Sequence, residues 1–565
     1  MSLDLQAAVR QTLSSSVNPK EVEKLLQGRL HMSPHPEWQL PERPTWREDP
    51  FEDRNWRFQY HMLRWLEPLR RAAALGDDSA FEMWLRWVQD WVAKNPPSAP
   101  TTPWAWTDMS DGIRAQQLCS ASPMIAERTP ELMGWLEATI RMHAEHLADP
   151  TNMGNANHAL HQQESLFVCG RVLQDEALWQ LASRRMSGLL REQYDEQGMN
   201  AEGATAYHYN NFLWWERALR RFDLEGLDRP AGADRHLHAP EGIAHATKPD
   251  GTLVPIGDTD VQDPKRIENP FIEYVTSNGG RGTAPRDLVK VYDAGYVFGR
   301  SGWGDTRRPF QDHTFYSLRF GPARRVHGHP DGTSLTYSSR GVNWVVDPGK
   351  FQYGHSTPRD HFASRAAHSL LSIDGRTAFK DSFVDLVRHG LYSRAHEFVL
   401  SDLSYEGIEL TRRVIFSTRG EYLVVIDHAT SRRRITGLQR WQLGTEVEAQ
   451  IDDHTVSLVA KGHRATLWFD GTPTEVTTVR AQDDPFDGYV STGWKKMAPA
   501  TAVVAERRGT RLEFLTVLAA GGRAAPIVQE IPIATPGTRA LDITTHGVRE
   551  RMIISPTAVS FPALG

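Results

Sequence analysis

Three side chains of the kinds that bind metal ions stand in the middle of the chain, at His329, Asp347 and His368. Each belongs to a short run of residues typical of β-strands, and the ends of neighbouring strands can converge in space. Two imidazoles and one carboxylate are ligands that Zn²⁺ accepts. Their spacing matches no compact zinc motif such as H-E-x-x-H, so an ordinary polar role at strand ends is the competing interpretation.

Another histidine, His327, precedes the first of these ligands by two positions. In an extended segment residues i and i+2 point to the same face, so His327 and His329 should face the same way. Gly328 between them allows the backbone to bend. We therefore expect one imidazole to face a ligand cleft and the other to face the metal.

Two further pairs stand at predicted helix starts. Asn157 and His158 are adjacent, and a helix start favours an anionic ligand because its backbone N–H groups are free. Tyr207 and His208 open a second helix, whose apolar face continues to Trp215. Asn157 could simply cap its helix, and Tyr207 could belong to the core. The residue types alone therefore favour ordinary structural roles.

The order of the motifs around the metal-binding residues resembles that of the heparinase II/III-type polysaccharide lyases. The shared segments are H-G-H-P-D-G-T-S at 327–334, D-P-G at 347–349, A-A-H-S at 366–369 and I-D-G at 373–375. The resemblance implies that His329, Asp347 and His368 bind a structural Zn²⁺, and that His327 acts in catalysis. It also implies an incomplete α/α toroid followed by a β-sandwich.

A second set of motifs extends the resemblance into the N-terminal half. The segment E-G-A-T-A-Y-H at 202–208 is similar to the one around the family's catalytic tyrosine, which favours Tyr207 over Tyr209. The pair Asn157 and His158 is similar to one that binds the substrate carboxylate. The resemblance thus implies a catalytic set of Tyr207, His327, Asn157 and His158. Side chains predicted to contact the substrate are His208, Arg114, Trp106, Tyr353 and Glu202.

One position departs from the family pattern. The family usually has a Tyr-Phe pair seven residues before its last zinc histidine, where this chain has His361 and Phe362. Tyr353 is the nearest tyrosine upstream. A second tyrosine in the cleft is therefore left open.

The resemblance implies β-elimination on a uronic acid. Asn157 and His158 would neutralise the carboxylate, which makes the proton on C5 easier to remove. Tyr207 would protonate the departing O4, and either Tyr207 or His327 would take the C5 proton, depending on the stereochemistry of the sugar. The product would carry a 4,5-unsaturated uronate end.

Two other classes of function stay open. A glycoside hydrolase on an α/α toroid would use two carboxylates that flank the bond, chosen from Glu164, Glu202, Asp258 and Asp260. A non-catalytic glycan-binding protein would keep aromatic side chains in a cleft and would have no turnover. Elimination differs from both because its unsaturated product absorbs ultraviolet light.

The elements that must position these residues change type along the chain. Apolar residues follow helical spacing from 55 to 221, and one helix is predicted through Trp56 and Leu69. Helices joined by short loops pack as antiparallel hairpins, and a closed series of hairpins forms a toroid. From 294 onward, many short alternating runs predict an antiparallel β-sandwich.

These patterns predict a multidomain α+β protein. The predicted parts are an N-terminal extension over 1–50, an α/α toroid domain with its linker over 51–285, and a β-sandwich over 286–565. The length of 565 residues agrees with more than one domain.

Composition limits the partners and the compartment. A net charge of −6 argues against nucleic-acid binding. The chain has no run of about 18 apolar residues and no signal-like N-terminus, so we expect no membrane contact and a cytoplasmic location. A removed leader peptide would instead make the protein periplasmic or secreted. Cys119 and Cys169 are too few for a disulfide framework. A homodimer is left open.

The polymer is also left open by the sequence. A highly sulfated glycan would need clusters of Arg and Lys, for which Arg114, Arg324 and Arg325 are candidates. The acidic net charge gives no support to such a substrate. A cytoplasmic lyase would meet imported oligosaccharides, so we expect exolytic action on short uronate chains.

Overall fold

The computed structural model describes residues 3–10, 16–107, 109–323, 325–471 and 475–563. The described chain divides into two compact units. The first combines the residues up to Tyr194 with Asn211–Leu237, and the second combines Asp195–Asn210 with the residues from His238 onward. Every helix among the described residues is too short or too polar to cross a bilayer.

The first unit is mainly helical. Its longer helices often begin after an aspartate that accepts hydrogen bonds from N–H groups of the first turn, as Asp53, Asp77 and Asp175 do. The helices are α1 (Leu5–Val9), α2 (Pro19–Leu26), α3 (Arg54–His61), α4 (Glu67–Ala74), α5 (Asp78–Lys94), α6 (Met109–Arg128), α7 (Met133–Ala148), α8 (Ala156–Val172), α9 (Glu176–Gln193), α10 (Thr205–Glu225, in this unit from Asn211) and α11 (Ala233–His236). Short 3-10 helices lie at Arg64–Leu66, Pro103–Trp106, Pro130–Leu132 and Pro150–Asn152, and β1 (Arg29–Leu30) pairs with β2 (Trp38–Gln39).

Consecutive helices of this unit pack in pairs. Helix α4 packs on α5, α6 on α7 and α8 on α9, and α6 also packs on α8. Large aromatic side chains fill the core, and Trp46, Trp56, Trp91 and Trp215 are among those fully buried. This succession of helix pairs confirms the predicted α/α toroid class.

The single helix predicted through Trp56 and Leu69 is wrong. The chain forms α3 up to His61 and then leaves the right-handed helical conformation at Leu63, whose φ is 55°. It resumes with the 3-10 helix at Arg64–Leu66 and with α4. Apolar spacing could not show this break, because the apolar residues on both sides of it are buried.

The second unit consists mostly of antiparallel strands. Its helices are α12 (Ala239–His245), α13 (Pro270–Thr276) and α14 (Thr357–Phe362), with 3-10 helices at Phe310–Asp312 and Arg365–Ala367. Its strands are β3 (Val289–Tyr292), β4 (Tyr296–Arg300), β5 (Phe315–Arg319), β6 (Gly321–Pro322), β7 (Leu335–Ser339), β8 (Val342–Val345), β9 (Leu371–Ile373), β10 (Phe383–Leu391), β11 (Ala395–Tyr405), β12 (Ile408–Ser417), β13 (Leu423–Gln442), β14 (Glu448–Asp452), β15 (Thr455–Ala460), β16 (His463–Phe469), β17 (Glu475–Val479), β18 (Gln482–Asp483), β19 (Phe486–Asp487), β20 (Tyr489–Gly493), β21 (Lys496–Pro499), β22 (Ala502–Gly522), β23 (Ile527–Ile531), β24 (Arg539–Thr545), β25 (Val548–Ile554) and β26 (Val559–Ser560).

Three sheets carry the core of this unit. Strands β3, β4, β5, β7 and β8 form a five-stranded sheet, β23 to β26 form a four-stranded sheet, and an eleven-stranded sheet contains β6, β9 to β17 and β22. One apolar cluster joins the five-stranded sheet to the large sheet through Trp344 and Val425. Val424, on the opposite face of β13, belongs to a second cluster with Leu541 of the four-stranded sheet. The predicted β-sandwich is confirmed, with a third layer that the sequence did not indicate.

The division into units differs from the predicted domain boundaries. Residues 195–210 and 238–285 belong to the β-rich unit, whereas the sequence placed them with the helices. Local hydrogen bonds give the reason, since the hydroxyl of Thr205 donates to the carbonyl of Val254. The start of α10, which carries Tyr207, is therefore tied to the β-rich unit.

Candidate active site and metal centre

His329, Asp347 and His368 come together in the second unit. One ligand atom from each lies within 4.8 Å of those of the other two, and all three residues are buried. Asp347 follows β8, His368 follows a 3-10 helix, and His329 lies in the loop between β6 and β7. The three residues thus converge as predicted, although His329 stands on a loop and His368 follows a 3-10 helix rather than a strand.

The hydrogen bonds of the two histidines leave one nitrogen of each ring unpaired. Nδ1 of His368 donates to the carbonyl of Ser364 at 2.8 Å. Nε2 of His329 lies 3.1 Å from the carboxylate of Asp258, which can only accept. Among the described residues, Nδ1 of His329 and Nε2 of His368 have no hydrogen-bond partner and are buried. Buried lone pairs without partners are rare, and both of these suit a metal ligand.

The charges of this cluster also suit a cation. Burial raises the pKa of Asp347 well above its usual value, and the neighbouring Asp331 adds to the shift. Burial lowers the pKa of His368 to about 3, which keeps its imidazole in the neutral form that binds metals. A bound divalent cation would stabilise the ionised form of Asp347. The donor set therefore fits a metal ion.

Asp258 connects this cluster to His327. Its Oδ1 accepts from His329, and its Oδ2 lies 3.1 Å from Nδ1 of His327. Arg359, on α14, donates to Oδ1 at 2.5 Å. Burial alone would raise the pKa of Asp258, but hydrogen bonds from both imidazoles and the charge of Arg359 hold it well below its usual range. Asp258 is therefore ionised and orients both histidines.

The backbone before Asp258 allows this close approach. The φ of Gly257 is 64°, and a Cβ at this position would lie 2.6 Å from the carbonyl oxygen of His327. The N–H of Asp258 donates to that same carbonyl at 2.8 Å. From the sequence, Asp258 was considered as a hydrolase carboxylate, and its segment I-G-D-T-D at 256–260 resembles a loop of the heparinase II/III-type lyases. The glycine before it in I-G-D-T-D was the available signal of a tight backbone contact.

Tyr207 and His327 face each other ring to ring. Their centroids are 3.4 Å apart and their planes differ by 7°. The N–H of His327 donates to the carbonyl of Glu202 at 2.8 Å, and Oε2 of Glu202 lies 3.6 Å from Nε2 of His327. The loop before α10 thus holds the histidine against the tyrosine.

A second tyrosine pairs with the hydroxyl of Tyr207. The hydroxyl oxygens of Tyr207 and Tyr353 are 2.6 Å apart, and the ring of Tyr353 packs against Trp494. Burial raises the pKa of Tyr207, and Tyr353 adds to the shift. Tyr207 is therefore protonated at neutral pH and suited to donate a proton. The structure supplies the second tyrosine that the sequence had left open.

Two cations near these tyrosines were missed in the sequence. Nζ of Lys350 lies 3.3 Å from the hydroxyl of Tyr353, and Arg359 holds Asp258. Lys350 directly follows the D-P-G motif, which gave a signal for its position but none for its role. Arg359 stands in a short helix without any motif.

Asn157 and His158 lie in the first turn of α8, in the first unit. Asn155 occupies the cap position, so the interpretation of Asn157 as the helix cap is wrong. Asn157 is buried and His158 is half-buried, with its ring 6.3 Å from that of Phe58. Their role toward a carboxylate stays a prediction.

Three of the residues predicted to contact substrate are enclosed. Arg114 has no exposed surface, since its guanidinium lies 3.7 Å from the ring centre of Trp91 and 4.7 Å from that of Trp106. His208 and Glu202 are each 2% exposed. This burial contradicts direct substrate contact by Arg114, His208 and Glu202, because neighbouring side chains enclose them. Trp106 is half-buried.

Of the two adjacent arginines considered for sulfate binding, Arg325 lies among the described residues. Arg325 is half-buried and its guanidinium lies 5.9 Å from the ring centre of Tyr296. Arg324 lies outside the described residues.

The carboxylates considered for a hydrolase have other partners. Glu164 accepts from Nε of Arg217 at 2.8 Å, and Asp260 pairs with Lys350 at 2.9 Å. Glu202 and Asp258 both contact His327. A hydrolase needs one carboxylic acid with a raised pKa, whereas the pKa of Asp258 is lowered. Asp258 is therefore unsuited to the role of the acid in a hydrolase.

Two family models match this chain. The heparinase II/III N-terminus model covers residues 9–234, and the heparinase II/III-like C-terminal model covers residues 283–520. The chain belongs to the heparinase II/III family. The descriptions of both models name heparinases.

Individual proteins similar to this heparinase II/III chain support its assignment to the family. A heparin-sulfate lyase of Bacteroides stercoris is 22% identical over 456 residues, which are 72% of this chain and 66% of that relative. The chain thus spans slightly less than two thirds of the relative's length. Among solved structures, heparinase III has a TM-score of 0.83 at 16% identity, covering 98% of this chain and 94% of that one. Heparan sulfate lyase HepC from Pedobacter heparinus has a TM-score of 0.73 at 19% identity, covering 98% and 92%. The structural likeness shows the shared fold.

Proposed function

We propose that this heparinase II/III chain cleaves a uronic-acid-containing glycan by β-elimination and leaves a 4,5-unsaturated uronate end. One observation carries the proposal. The hydroxyl of Tyr207 lies 2.6 Å from that of Tyr353, and its ring lies flat against His327. A protonated phenol beside an oriented imidazole supplies the acid and the base that elimination needs.

His327 is the proposed base. Asp258 accepts a hydrogen bond from its Nδ1, which leaves Nε2 with the lone pair that can take the proton on C5. The electrons of the C5–H bond then form the C4–C5 double bond. Where C5–H and O4 lie on the same side of the ring, Tyr207 is the alternative base.

Tyr207 is the proposed acid. Its pKa is raised by burial, so it carries its proton at neutral pH and can give it to O4 as the C4–O4 bond breaks. An acid of this kind contributes roughly 10² to 10⁴ in rate.

Asn157 and His158 are the proposed partners of the uronate carboxylate. An amide and an imidazole can both donate to a carboxylate, whose negative charge grows as the C5 proton leaves. The resemblance of the N-H pair to the family's pattern supports this assignment, and its position at a helix start agrees with anion binding.

The metal is proposed to be Zn²⁺ in a structural role. His329, Asp347 and His368 would hold it, and the ion would supply a fixed cross-link between three loops. Asp258 would hold the His329 ring through its hydrogen bond with Nε2, which leaves Nδ1 to bind the ion. All chemical steps are assigned to the side chains of the protein.

Heparin and heparan sulfate are the first substrates to test, because a similar protein is named a heparin-sulfate lyase and a protein of the same fold is named a heparan sulfate lyase. Unsulfated uronate chains are the second substrates to test, since the net charge of −6 gives no support to a highly sulfated glycan. Activity on imported short oligosaccharides, by exolytic cleavage, stays part of the proposal. Early release of mid-sized fragments from a long polymer would contradict it.

The decisive experiment compares two neighbouring tyrosines. Purified protein is incubated with a panel of uronate glycans, and ultraviolet absorbance of the unsaturated product is followed. Tyr207→Phe should lower kcat by roughly 10² or more with little change in KM, because the hydroxyl acts in the transition state. Tyr209→Phe, which changes a buried tyrosine two residues away, should keep near-normal turnover.

Other outcomes would point to other functions. New reducing ends without ultraviolet absorbance would indicate a hydrolase. Glycan binding without turnover, unaffected by Tyr207→Phe, would indicate a binding protein. Normal turnover by Tyr207→Phe on a cleaved substrate would move the acid to another residue.

A further inference from the structure

Lys350 is a buried cation in the loop between β8 and α14. It is only 7% exposed. Its Nζ donates to the hydroxyl of Tyr353 at 3.3 Å and to Oδ2 of Asp260 at 2.9 Å. It also lies 4.7 Å from the centre of the Tyr353 ring. Burial of an ammonium group is costly, and one carboxylate with a 31% exposed side chain is a modest compensation.

The loop around Lys350 is held in place by its neighbours. The N–H of Phe351 donates to the hydroxyl of Ser491 at 3.0 Å, and the N–H of Lys495 donates to the carbonyl of Phe351 at 2.8 Å. Phe351 itself has a φ of 68°, in the left-handed region that non-glycine residues rarely occupy. The β20–β21 hairpin therefore fixes the backbone from which Lys350 and Tyr353 both extend.

Lys350, Tyr353 and Tyr207 form a continuous line of polar atoms. Nζ of Lys350 contacts the oxygen of Tyr353, which is 2.6 Å from the oxygen of Tyr207. An ammonium can only donate, so Tyr353 accepts from it and has its own O–H available for Tyr207. The direction of the hydrogen bond between the tyrosines is thereby set toward the proposed acid.

We propose that Lys350 is a positioning residue whose charge stabilises Tyr353 as a phenolate when Tyr207 gives its proton to the leaving group. This inference rests on the proposed function and adds a second proton donor to it. Lys350 does not touch the substrate. It acts through Tyr353.

The proton balance of the step is complete. The O–H bond of Tyr207 breaks and its proton bonds to O4. O4 departs with both electrons of the C4–O4 bond, while the electrons of the C5–H bond form the C4–C5 double bond. The proton of Tyr353 moves to the oxygen of Tyr207, and the negative charge comes to rest beside Lys350. His327 holds the proton from C5 and releases it to solvent after the product leaves. Tyr353 then takes a proton from solvent, and the starting state is restored.

Other charges around the tyrosine pair act in the opposite direction. The carboxylates of Asp258 and Glu202 both disfavour a phenolate and raise the pKa of Tyr207, after the larger effects of burial and of Tyr353. The ring of His327 lies 3.4 Å from that of Tyr207 and 6.2 Å from that of Tyr353. Against the two acids, Lys350 is the cation in direct contact with Tyr353. Burial works against its charge, but Tyr353 and Asp260 outweigh it and raise its pKa, so Lys350 stays charged.

The first test uses kinetics on a cleaved uronate glycan. Lys350→Gln keeps a hydrogen-bond donor but removes the charge, and it should lower kcat on the order of 10-fold with KM little changed. The pH at which activity falls on the alkaline side should rise by about one to three units, because an opposite charge within this distance shifts a pKa by that amount. Lys350→Arg should restore most of kcat and the original alkaline limit.

Lys248 provides a matched control. Its side chain is 12% exposed and its Nζ pairs with Asp250 at 2.6 Å, an arrangement like that of Lys350 but away from any tyrosine contact seen among the described residues. Lys248→Gln should leave kcat and the pH profile as in the wild type. Equal effects of the two substitutions would overturn the proposal, since a lost ion pair would then explain both.

A second test needs no substrate. Tyrosinate absorbance is titrated in the wild type and in Tyr353→Phe, and the difference gives the ionisation of Tyr353. The same difference measured in the Lys350→Gln background should lie at least about one pH unit higher. An unchanged titration, in protein whose thermal unfolding shows a folded state, would overturn the role of Lys350.

The two tests separate the failure of this inference from the failure of the proposed function. If unsaturated product forms and the kcat and pH profile of Lys350→Gln match those of the wild type, the role of Lys350 is refuted and β-elimination is supported. If no glycan gives unsaturated product but the tyrosinate titration shifts in Lys350→Gln, β-elimination is refuted and the effect of the Lys350 charge on Tyr353 is supported.

Discussion

Replacing Asp258 by Asn tests how the metal cluster and His327 are held together. The substitution keeps the size of the side chain and removes its charge. Three groups lose their ionised partner, namely His327, His329 and Arg359. An amide has only one oxygen that accepts, so at least one of the imidazole N–H groups faces an NH₂ group instead.

The expected loss of stability follows from these contacts. A hydrogen bond to a charged group contributes about 1.5–3 kcal/mol, and breaking a buried ion pair on one side costs about 3–5 kcal/mol. Asp258 is 3% exposed, so little solvent screening reduces these values. We expect a loss of about 3–5 kcal/mol in the free energy of unfolding. Domains of this kind are typically stable by about 5–15 kcal/mol, so a folded protein should still be obtained.

The functional effect should be larger than that of an ordinary destabilising change. Loss of a residue that orients a metal ligand typically costs 10- to 100-fold in metal affinity or activity. Asp258→Asn should therefore lower both bound metal and kcat by about that factor, while the Tyr207–Tyr353 contact persists. Bound metal is measured by elemental analysis, kcat by ultraviolet absorbance, and stability by urea unfolding.

Asp250→Asn is the control for this experiment. Asp250 is also a hydrogen-bonded carboxylate of the second unit, with Lys248, Thr252 and Asn343 as partners, and these partners hold its pKa at about 2 although burial acts in the opposite direction. Its replacement should cost stability without reducing metal content or kcat. The reasoning is refuted if Asp258→Asn keeps wild-type metal content and kcat, or if the two substitutions have the same profile.

Two further predictions concern the metal and the response to acid. Purified wild-type protein should contain about one equivalent of metal, and His368→Ala should lose it with a fall in Tm, because a ligand that binds only the folded state adds to its stability; metal-free wild-type protein with the same Tm as His368→Ala would contradict this. Burial lowers the pKa of His236 and of His396 to about 4, so the unfolded chain binds more protons than the folded one between about pH 6.5 and 4. Stability should therefore fall as the pH drops through this window, by about 3 kcal/mol for each histidine, and His236→Gln should flatten the pH dependence of urea unfolding; an unchanged dependence would mean that His236 already carries a charge in the folded state.

The sequence was most informative where function and local backbone geometry share one motif. His327, His329 and Asp347 lie in segments in which histidines and aspartate alternate with glycine and proline, so both the chemistry and the tight turns can be read together. The β-runs that flank them predicted rigid supports, and the structure brings the three metal-binding residues within 4.8 Å. Strand alternation likewise predicted the β-sandwich.

The residues that complete the site could not be read in the same way. Lys350 and Arg359 lie in an irregular loop and a short helix, where no periodicity relates sequence to direction, and Tyr353, which was predicted to contact substrate, shares that loop. Their positions depend on hydrogen bonds to the β20–β21 hairpin and to Asp258, which are distant in sequence. For Arg114, the prediction of substrate contact was wrong. Its charge suggested a ligand site, but two tryptophan rings enclose its guanidinium, and only the packing of the helices reveals this.

Asp258 makes the orientation of the two histidines interdependent. Each of its carboxylate oxygens is committed to one imidazole, and Arg359 fixes the carboxylate from a third direction. A change in the ring orientation of His329 must therefore shift Asp258 or break its hydrogen bond, and in either case His327 loses part of its support. Because His327 also lies flat against Tyr207, such a shift reaches the proposed acid as well. A metal that takes no part in the chemistry would still influence the rate, since the same carboxylate positions the ligand and the proposed base.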